Sequence, residues 1–363
     1  MINLTKLSRV SENIISEMVI GDKPIVVWNM TRQCNLSCRH CYISAHDKKS
    51  MTELTTDEAK RFIYDLASLN VPVLLFSGGE PLLRKDIFEL GEFAANLGIR
   101  PVISSNGTLI SSSIALSIKN VGFEYVGISI DGLADVHNEF RGIKNGFQLS
   151  FEGIHNCQEA KLHTGIRFTV NKHNFEDLPA LLDLAAKESI PRFCLYHLVY
   201  TGKGKEMIQD DLDLNTKINL IKFLIFRATT ISNMEILTVD NPADGIYFYI
   251  QEKEPHKKAL IETLLKMAGG CSAGQKIANV SPEGEIYPCQ FWQDLSSGNV
   301  RKTPFSQIWQ KNLNMCSQIK TRLKGKCGQC SYKDLCGGCR VRAKIIYGDY
   351  LAEDPACYID GKR

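Results

Sequence analysis

Thirteen cysteines constrain what this chain can fold into more than any other feature, because their positions are segregated. Cys34, Cys38 and Cys41 stand near the start. Cys271, Cys289, Cys316, Cys327, Cys330, Cys336, Cys339 and Cys357 stand near the end, and only Cys157 and Cys194 lie between. No apolar run follows Lys6 and Arg9, so no secretory signal is visible and a cytoplasmic location is expected. In that reducing compartment disulfides explain little, and an odd count leaves one thiol over in any all-disulfide scheme. Two segregated clusters read instead as metal ligation. Cys157 and Cys194 lack partners at ligand spacing and read as buried thiols.

The 363 residues are 44% hydrophobic and 23% charged, which excludes disorder as the main state. A net charge of +3 does not suggest nucleic-acid binding, but it permits a local basic pocket for an acidic substrate. No apolar run approaches the ~18 residues that cross a bilayer, so no membrane partner is expected.

Between Lys23 and Tyr200 strand-like and helix-like stretches alternate. Short apolar runs at Ile25–Trp28, Val71–Phe76, Arg100–Ser105, Tyr125–Ile130, Ile166–Val170 and Arg192–Leu198 read as strands. Helical periodicity fills Thr55–Leu69, Asp86–Leu97, Ser111–Lys119, Phe147–Leu162 and Phe175–Lys187. Six βα units predict an α/β fold with a parallel sheet, either doubly wound or a partial barrel. In both, the chemistry belongs on loops after the strands' C-terminal ends. Residues 211–268 read as mostly helical, with a break near Ser232–Asp244. From 269 to 363 the texture is turn-rich, with a small hairpin over Ile277–Val280 and Glu285–Tyr287. The expected division is therefore an extension over 1–22, a catalytic unit over 23–210, a helical connection over 211–268 and a cysteine-rich unit over 269–363.

Cys34-Asn-Leu-Ser-Cys38-Arg-His-Cys41 follows the first strand directly. Three thiolates on one tight loop can hold three irons of a [4Fe–4S] cube and leave the fourth open to a small chelating molecule. Zinc normally takes four ligands in a closed site, although the adjacent His40 keeps zinc open as an alternative. With this motif the sequence resembles the radical S-adenosylmethionine (SAM) superfamily. The resemblance implies a partial (β/α)6 barrel, a SAM-binding [4Fe–4S] cluster on Cys34, Cys38 and Cys41, and SAM itself as cofactor. It also implies SAM-contacting groups at further strand ends. Gly78, Gly79 and Glu80 match the segment that holds the methionine amine, and Asn106 matches a turn residue after the third strand. Ser129 and Arg141 match contacts to the ribose or carboxylate.

The C-terminal cysteines resemble the SPASM extension of that superfamily, which carries auxiliary iron–sulfur clusters. The resemblance implies one complete [4Fe–4S] site on Cys327, Cys330, Cys336 and Cys357. It implies a second on Cys271, Cys289 and Cys339, whose fourth position is open or taken by Cys316 or a non-cysteine group. A pair of zinc ribbons is the alternative.

Nearly the whole chain resembles the branch of the superfamily that processes tetrapyrrole side chains, in particular Val26–Gln33, Tyr125–Gly132 with Phe140–Gly142, and Tyr196–Gly204. That resemblance implies a polycarboxylate iron tetrapyrrole as substrate, a low-potential electron donor as partner, and C–C cleavage through a 5′-deoxyadenosyl radical. Loss of acetates from didecarboxysirohaem would give Fe-coproporphyrin III, a step of haem biosynthesis. Loss of propionates on the way to haem d1 is the alternative, followed by peptide modification and, outside enzymes, a zinc-ribbon binding protein. A polyanionic substrate calls for basic residues, and Arg167, Arg192, Lys203 and Lys205 are the candidates. His197 reads as a core histidine in preference to an axial ligand of the substrate iron.

Overall fold

The computed structural model describes residues 1–16, 23–48, 50–312 and 318–360. Cys316 lies outside them. The strands are β1 (Ile2–Asn3), β2 (Ile25–Asn29), β3 (Val73–Ser77), β4 (Arg100–Ser105), β5 (Tyr125–Ser129), β6 (His163–Val170), β7 (Arg192–His197), β8 (Glu235–Val239), β9 (Ile277–Val280), β10 (Glu285–Tyr287) and β11 (Gly298–Asn299). They form one open sheet in the order β1-β8-β7-β6-β5-β4-β3-β2-β9-β10-β11. Strands β2 to β8 are parallel neighbours in sequence order, and helices run between them.

Side-chain alternation along these strands divides the interior. Trp28, Phe76, Ile103, Ile128, Ile166, Phe168, Phe193 and Leu195 pack into the main apolar core, which the helices complete. Residues of the opposite parity turn to the concave side, where Ser77, Ser104, Ser129, Arg167, Thr169 and Tyr196 line one cavity. A sheet with helices on one face and polar groups on the other is an incomplete barrel with a wet lumen.

The helices begin where their sequences provide caps. Thr55 and Glu58 make a reciprocal capping box at the head of Thr56–Ser68: the Glu58 amide donates to the Thr55 hydroxyl, and the Thr55 amide to the Glu58 carboxylate. Phe62, Ile63 and Leu66 of that helix then face the core.

Three elements differ from the sequence expectation. The supposed break at Ser232–Asp244 contains β8, which pairs in parallel with β7. Its short run, Glu-Ile-Leu-Thr-Val, sits between two helical patterns and carries little signal of its own. Phe140–Gly142 lies outside every helix expected from the sequence, yet it closes one. Arg141 ends the helix Ala134–Arg141, and Gly142 caps it at φ +69. The hairpin of β9 and β10 continues the barrel sheet, because β9 pairs with β2. The cysteine-rich unit is thus joined to β2 through a continuous ladder.

Candidate functional site

Cys34, Cys38 and Cys41 all line the lumen cavity, which encloses about 1010 Å³ of empty space including its open mouth. Each sulfur has one donor directed at it. The Leu36 amide lies 3.4 Å from Cys34 Sγ, the Ala45 amide 3.2 Å from Cys41 Sγ, and Arg141 Nη1 3.6 Å from Cys38 Sγ. Burial raises the Cys34 thiol to about 12 and the Cys38 thiol in the same direction, so ionising these groups requires a compensating cation. His40 does not join them. Its ring stacks 4.8 Å from Phe140, and Nε2 lies 3.4 Å from Asp131. Among the described residues no three Cys, His, Asp or Glu side chains converge on a point that a single metal ion would fill. Three hydrogen-bonded thiols spaced around a cavity fit an iron–sulfur cube better than a zinc ion.

The residues at the next strand ends form the wall beside the loop. Gly78 and Gly79 line the cavity, and their bareness is needed for backbone contact. A Cβ on Gly79 would stand 2.1 Å from the Gln33 carbonyl, and one on Gly78 2.5 Å from that of Thr31. The turn therefore locks onto the entrance of the cysteine loop through the Gly79 amide to Thr31 O and the Glu80 amide to Gln33 O. Asn106 lines the cavity and donates to Asn35 Oδ1 at 2.8 Å, while Ser129 stands on the next strand.

Glu80 is the exception. It is fully buried behind the wall and accepts from the Ser105 hydroxyl, the Asn106 amide and the Leu82 amide at 2.9, 2.8 and 3.2 Å. Burial raises its carboxyl to about 7, against those donors. Its place is that of a staple between two site turns. Glu80→Ala leaves three donors unmatched and is expected to cost about 3 kcal/mol in a denaturant titration of the metal-free protein. A change below about 1 kcal/mol would remove that role.

Arg141 reaches the cavity from a buried charge cluster. Its Nη2 lies 2.5 Å from Asp131, and Asp131 also accepts the Thr169 amide at 2.8 Å. Burial works to raise the Asp131 carboxyl, but Arg141 and then His40 outweigh it and hold it below the ordinary range. Asp131 is a positioning acid for Arg141, a pairing that the sequence did not announce.

The C-terminal cysteines assemble as two groups. Cys327, Cys330, Cys336 and Cys357 line a second cavity of about 430 Å³ with Gly337, Gly338 and Asp354. Cys271, Cys289 and Cys339 pack against Val199, Trp292 and Val341, and Val199 also lines the lumen cavity. The three-cysteine group thus stands against the barrel cavity, with Gln290 and Phe291 between them on its wall.

Residues 28–185 match the radical SAM superfamily, and residues 271–340 match the SPASM iron-sulfur cluster-binding domain. Fe-coproporphyrin III synthase from Methanosarcina barkeri is 44% identical over 93% of this chain and 88% of its own length. This chain belongs to the radical SAM superfamily. Pre-heme d1 synthase from Dinoroseobacter shibae is 38% identical over 93% of this chain and 86% of that one. Streptococcus suis SuiB bound to its precursor peptide SuiA shares the fold, with a TM-score of 0.75 at 20% identity over 94% of this chain and 77% of that one. As a radical SAM enzyme with a SPASM domain, the protein uses SAM and [4Fe–4S] clusters. No helix among the described residues is long and apolar enough to cross a membrane.

Of the basic candidates, the cavity takes Arg167 and Lys203. Arg192 is turned away, bound to Glu235 at 2.6 Å at the opening of β7, and Lys205 is exposed outside the cavity. His197 is a core histidine and a cavity wall at once. Its Nε2 lies 2.9 Å from Asp244, which also accepts from Tyr358 at 2.6 Å. Sequence reading missed Tyr196, whose ring faces Arg167. The signal was present, since Phe193 and Leu195 enter the core and strand alternation turns Tyr196 to the side that Arg167 faces.

Proposed function

We propose that this radical SAM enzyme removes acetate side chains from didecarboxysirohaem to give Fe-coproporphyrin III, in haem biosynthesis. The reading rests on near-full-length likeness to Fe-coproporphyrin III synthase at 44% identity, above the 38% to pre-heme d1 synthase. The cavity wall is compatible with it: Arg167 and Lys203 face a substrate rich in carboxylates, and among the described residues neither is paired with an acid.

Cys34, Cys38 and Cys41 would hold the SAM cluster, with Gly78, Gly79, Asn106, Ser129 and Arg141 around the bound SAM. Cys327, Cys330, Cys336 and Cys357 would hold one auxiliary cluster, and Cys271, Cys289 and Cys339 the other. When bound, the reduced SAM cluster supplies the hydrogen-abstracting radical. The protein's part is placement. The Asp131–Arg141 pair fixes a cation beside the cysteine loop, the glycine turn brings the wall within reach, and Phe291, Leu198 and Val199 keep that side apolar.

Anaerobically reconstituted enzyme given didecarboxysirohaem, SAM and a low-potential reductant should release 5′-deoxyadenosine and a tetrapyrrole lighter by two acetates. Loss of propionates would assign it instead to the haem d1 branch. An unchanged tetrapyrrole mass would refute the proposal.

A further inference from the structure

The geometry points to Arg167 as the anchor for one carboxylate of the substrate, set inside the barrel and not at its rim. The inference rests on the tetrapyrrole reading above and names the residue that would orient such a substrate.

Arg84, Arg141, Arg192 and Arg342 each face a carboxylate of their own. Arg167 does not. Its guanidinium lies over the Tyr196 ring, 4.5 Å from the centroid, and Cys194, Tyr125 and Tyr42 are among its titratable neighbours. No hydrogen bond or ion pair engages its side chain among the described residues. Asp240 lines the same cavity and feels the charge, yet makes no ion pair with it. The guanidinium is half-buried and opens on the cavity, and the aromatic face it lies over occupies none of its N–H donors. Those free donors suit an anion with two acceptor oxygens, and a carboxylate meets the planar fork in kind.

Register adds position to charge. Arg167 is the ladder partner of Ser129 on β5 and of Cys194 on β7. A carboxylate seated on Arg167 brings the carbons attached to it alongside Ser129, on the wall facing the cysteine loop. The Tyr196 ring holds the guanidinium plane, which a lysine ammonium has no means to reproduce.

The carboxylate has two possible sources, a side chain of the tetrapyrrole or the carboxylate of SAM. The depth of Arg167 in the barrel favours the tetrapyrrole, because Arg141 already stands at the cysteine loop, 3.6 Å from Cys38 Sγ.

The test compares reconstituted wild type, Arg167→Gln and Arg167→Lys, titrating didecarboxysirohaem by absorbance and SAM by calorimetry. Arg167→Gln should weaken tetrapyrrole binding about 10- to 100-fold and leave SAM affinity within about twofold, with Arg167→Lys intermediate. Wild type should bind the fully methyl-esterified tetrapyrrole as weakly as Arg167→Gln binds the acid, a result that needs no variant to fold. Equal tetrapyrrole affinity in wild type and Arg167→Gln overturns the anchor alone. Loss of SAM affinity with tetrapyrrole binding intact overturns it in favour of SAM. Wild type that binds no tetrapyrrole overturns the substrate reading and the anchor with it.

Discussion

Cys38→Ala should abolish 5′-deoxyadenosine formation and remove the iron of one cluster, while the iron held by the C-terminal cysteines stays. The expectation follows from how the loop is built. Three thiols ring the cavity with one donor each, and two ligands from a loop this short leave two corners of a cube open to solvent. Cys38 is the most consequential of the three, because removing its sulfur also deprives Arg141 of the partner at 3.6 Å, leaving its charge to Asp131. Iron analysis, the cluster's absorbance and a single-turnover assay for 5′-deoxyadenosine read the outcome together. Cys157→Ala is the matched control. That thiol is fully buried in the apolar core, remote from all three groups, so its loss should lower stability and leave iron content unchanged. Residual SAM cleavage in Cys38→Ala would mean that the loop is not the cofactor site.

The parts legible in the sequence are those where a residue type has one plausible use. The cysteine triplet alone leaves zinc open, and it is the triplet in register with the glycine turn that narrows the use. Alternating apolar runs gave β2 to β7 because each must bury the same parity against helices. The strand β8 was not legible, since five residues of mixed polarity acquire strand character only from pairing with β7. Glu80 is a SAM contact only by resemblance, in register with the cysteine loop, since an acid after two glycines alone reads as a turn residue. Its burial depends on Ser105 and Asn106, distant in sequence, and no local pattern encodes that. The partnership of Asp131 with Arg141 and the chain from Tyr358 through Asp244 to His197 are likewise products of tertiary approach. Arg167 is intermediate: parity revealed its direction, but only the structure shows that no acid meets it.

Breaking the Arg342–Asp354 pair should cost about 3–5 kcal/mol. Both side chains are buried, and the contact is bidentate, with Nε and Nη2 each 2.9 Å from a carboxylate oxygen. The pair also stands between three parts of the molecule. Arg342 Nη1 donates to the Leu198 carbonyl beyond β7, the Asp354 carboxylate accepts the Cys339 amide at 2.6 Å, and the Asp354 amide lies 3.4 Å from Cys327 Sγ. Asp354 thus meets a member of each C-terminal cysteine group, Cys339 through its carboxylate and Cys327 through its backbone amide. Asp354→Asn leaves a guanidinium buried with no counter-charge, and it should loosen the Cys339 turn as well as lower the melting temperature. The double substitution Arg342→Met with Asp354→Leu removes both charges and should recover much of the loss, since a buried ion pair contributes little beyond an apolar pair of similar volume. Burial works to raise the Asp354 carboxyl, but Arg342 prevails and holds it below the ordinary range. Its contribution is therefore complete above the unfolded value of about 4 and is lost as the pH falls through the depressed folded value. Denaturant titrations of the metal-free protein at neutral and acid pH measure both effects. Single variants within about 1 kcal/mol of wild type would show that the joint between barrel and cysteine-rich unit is held elsewhere.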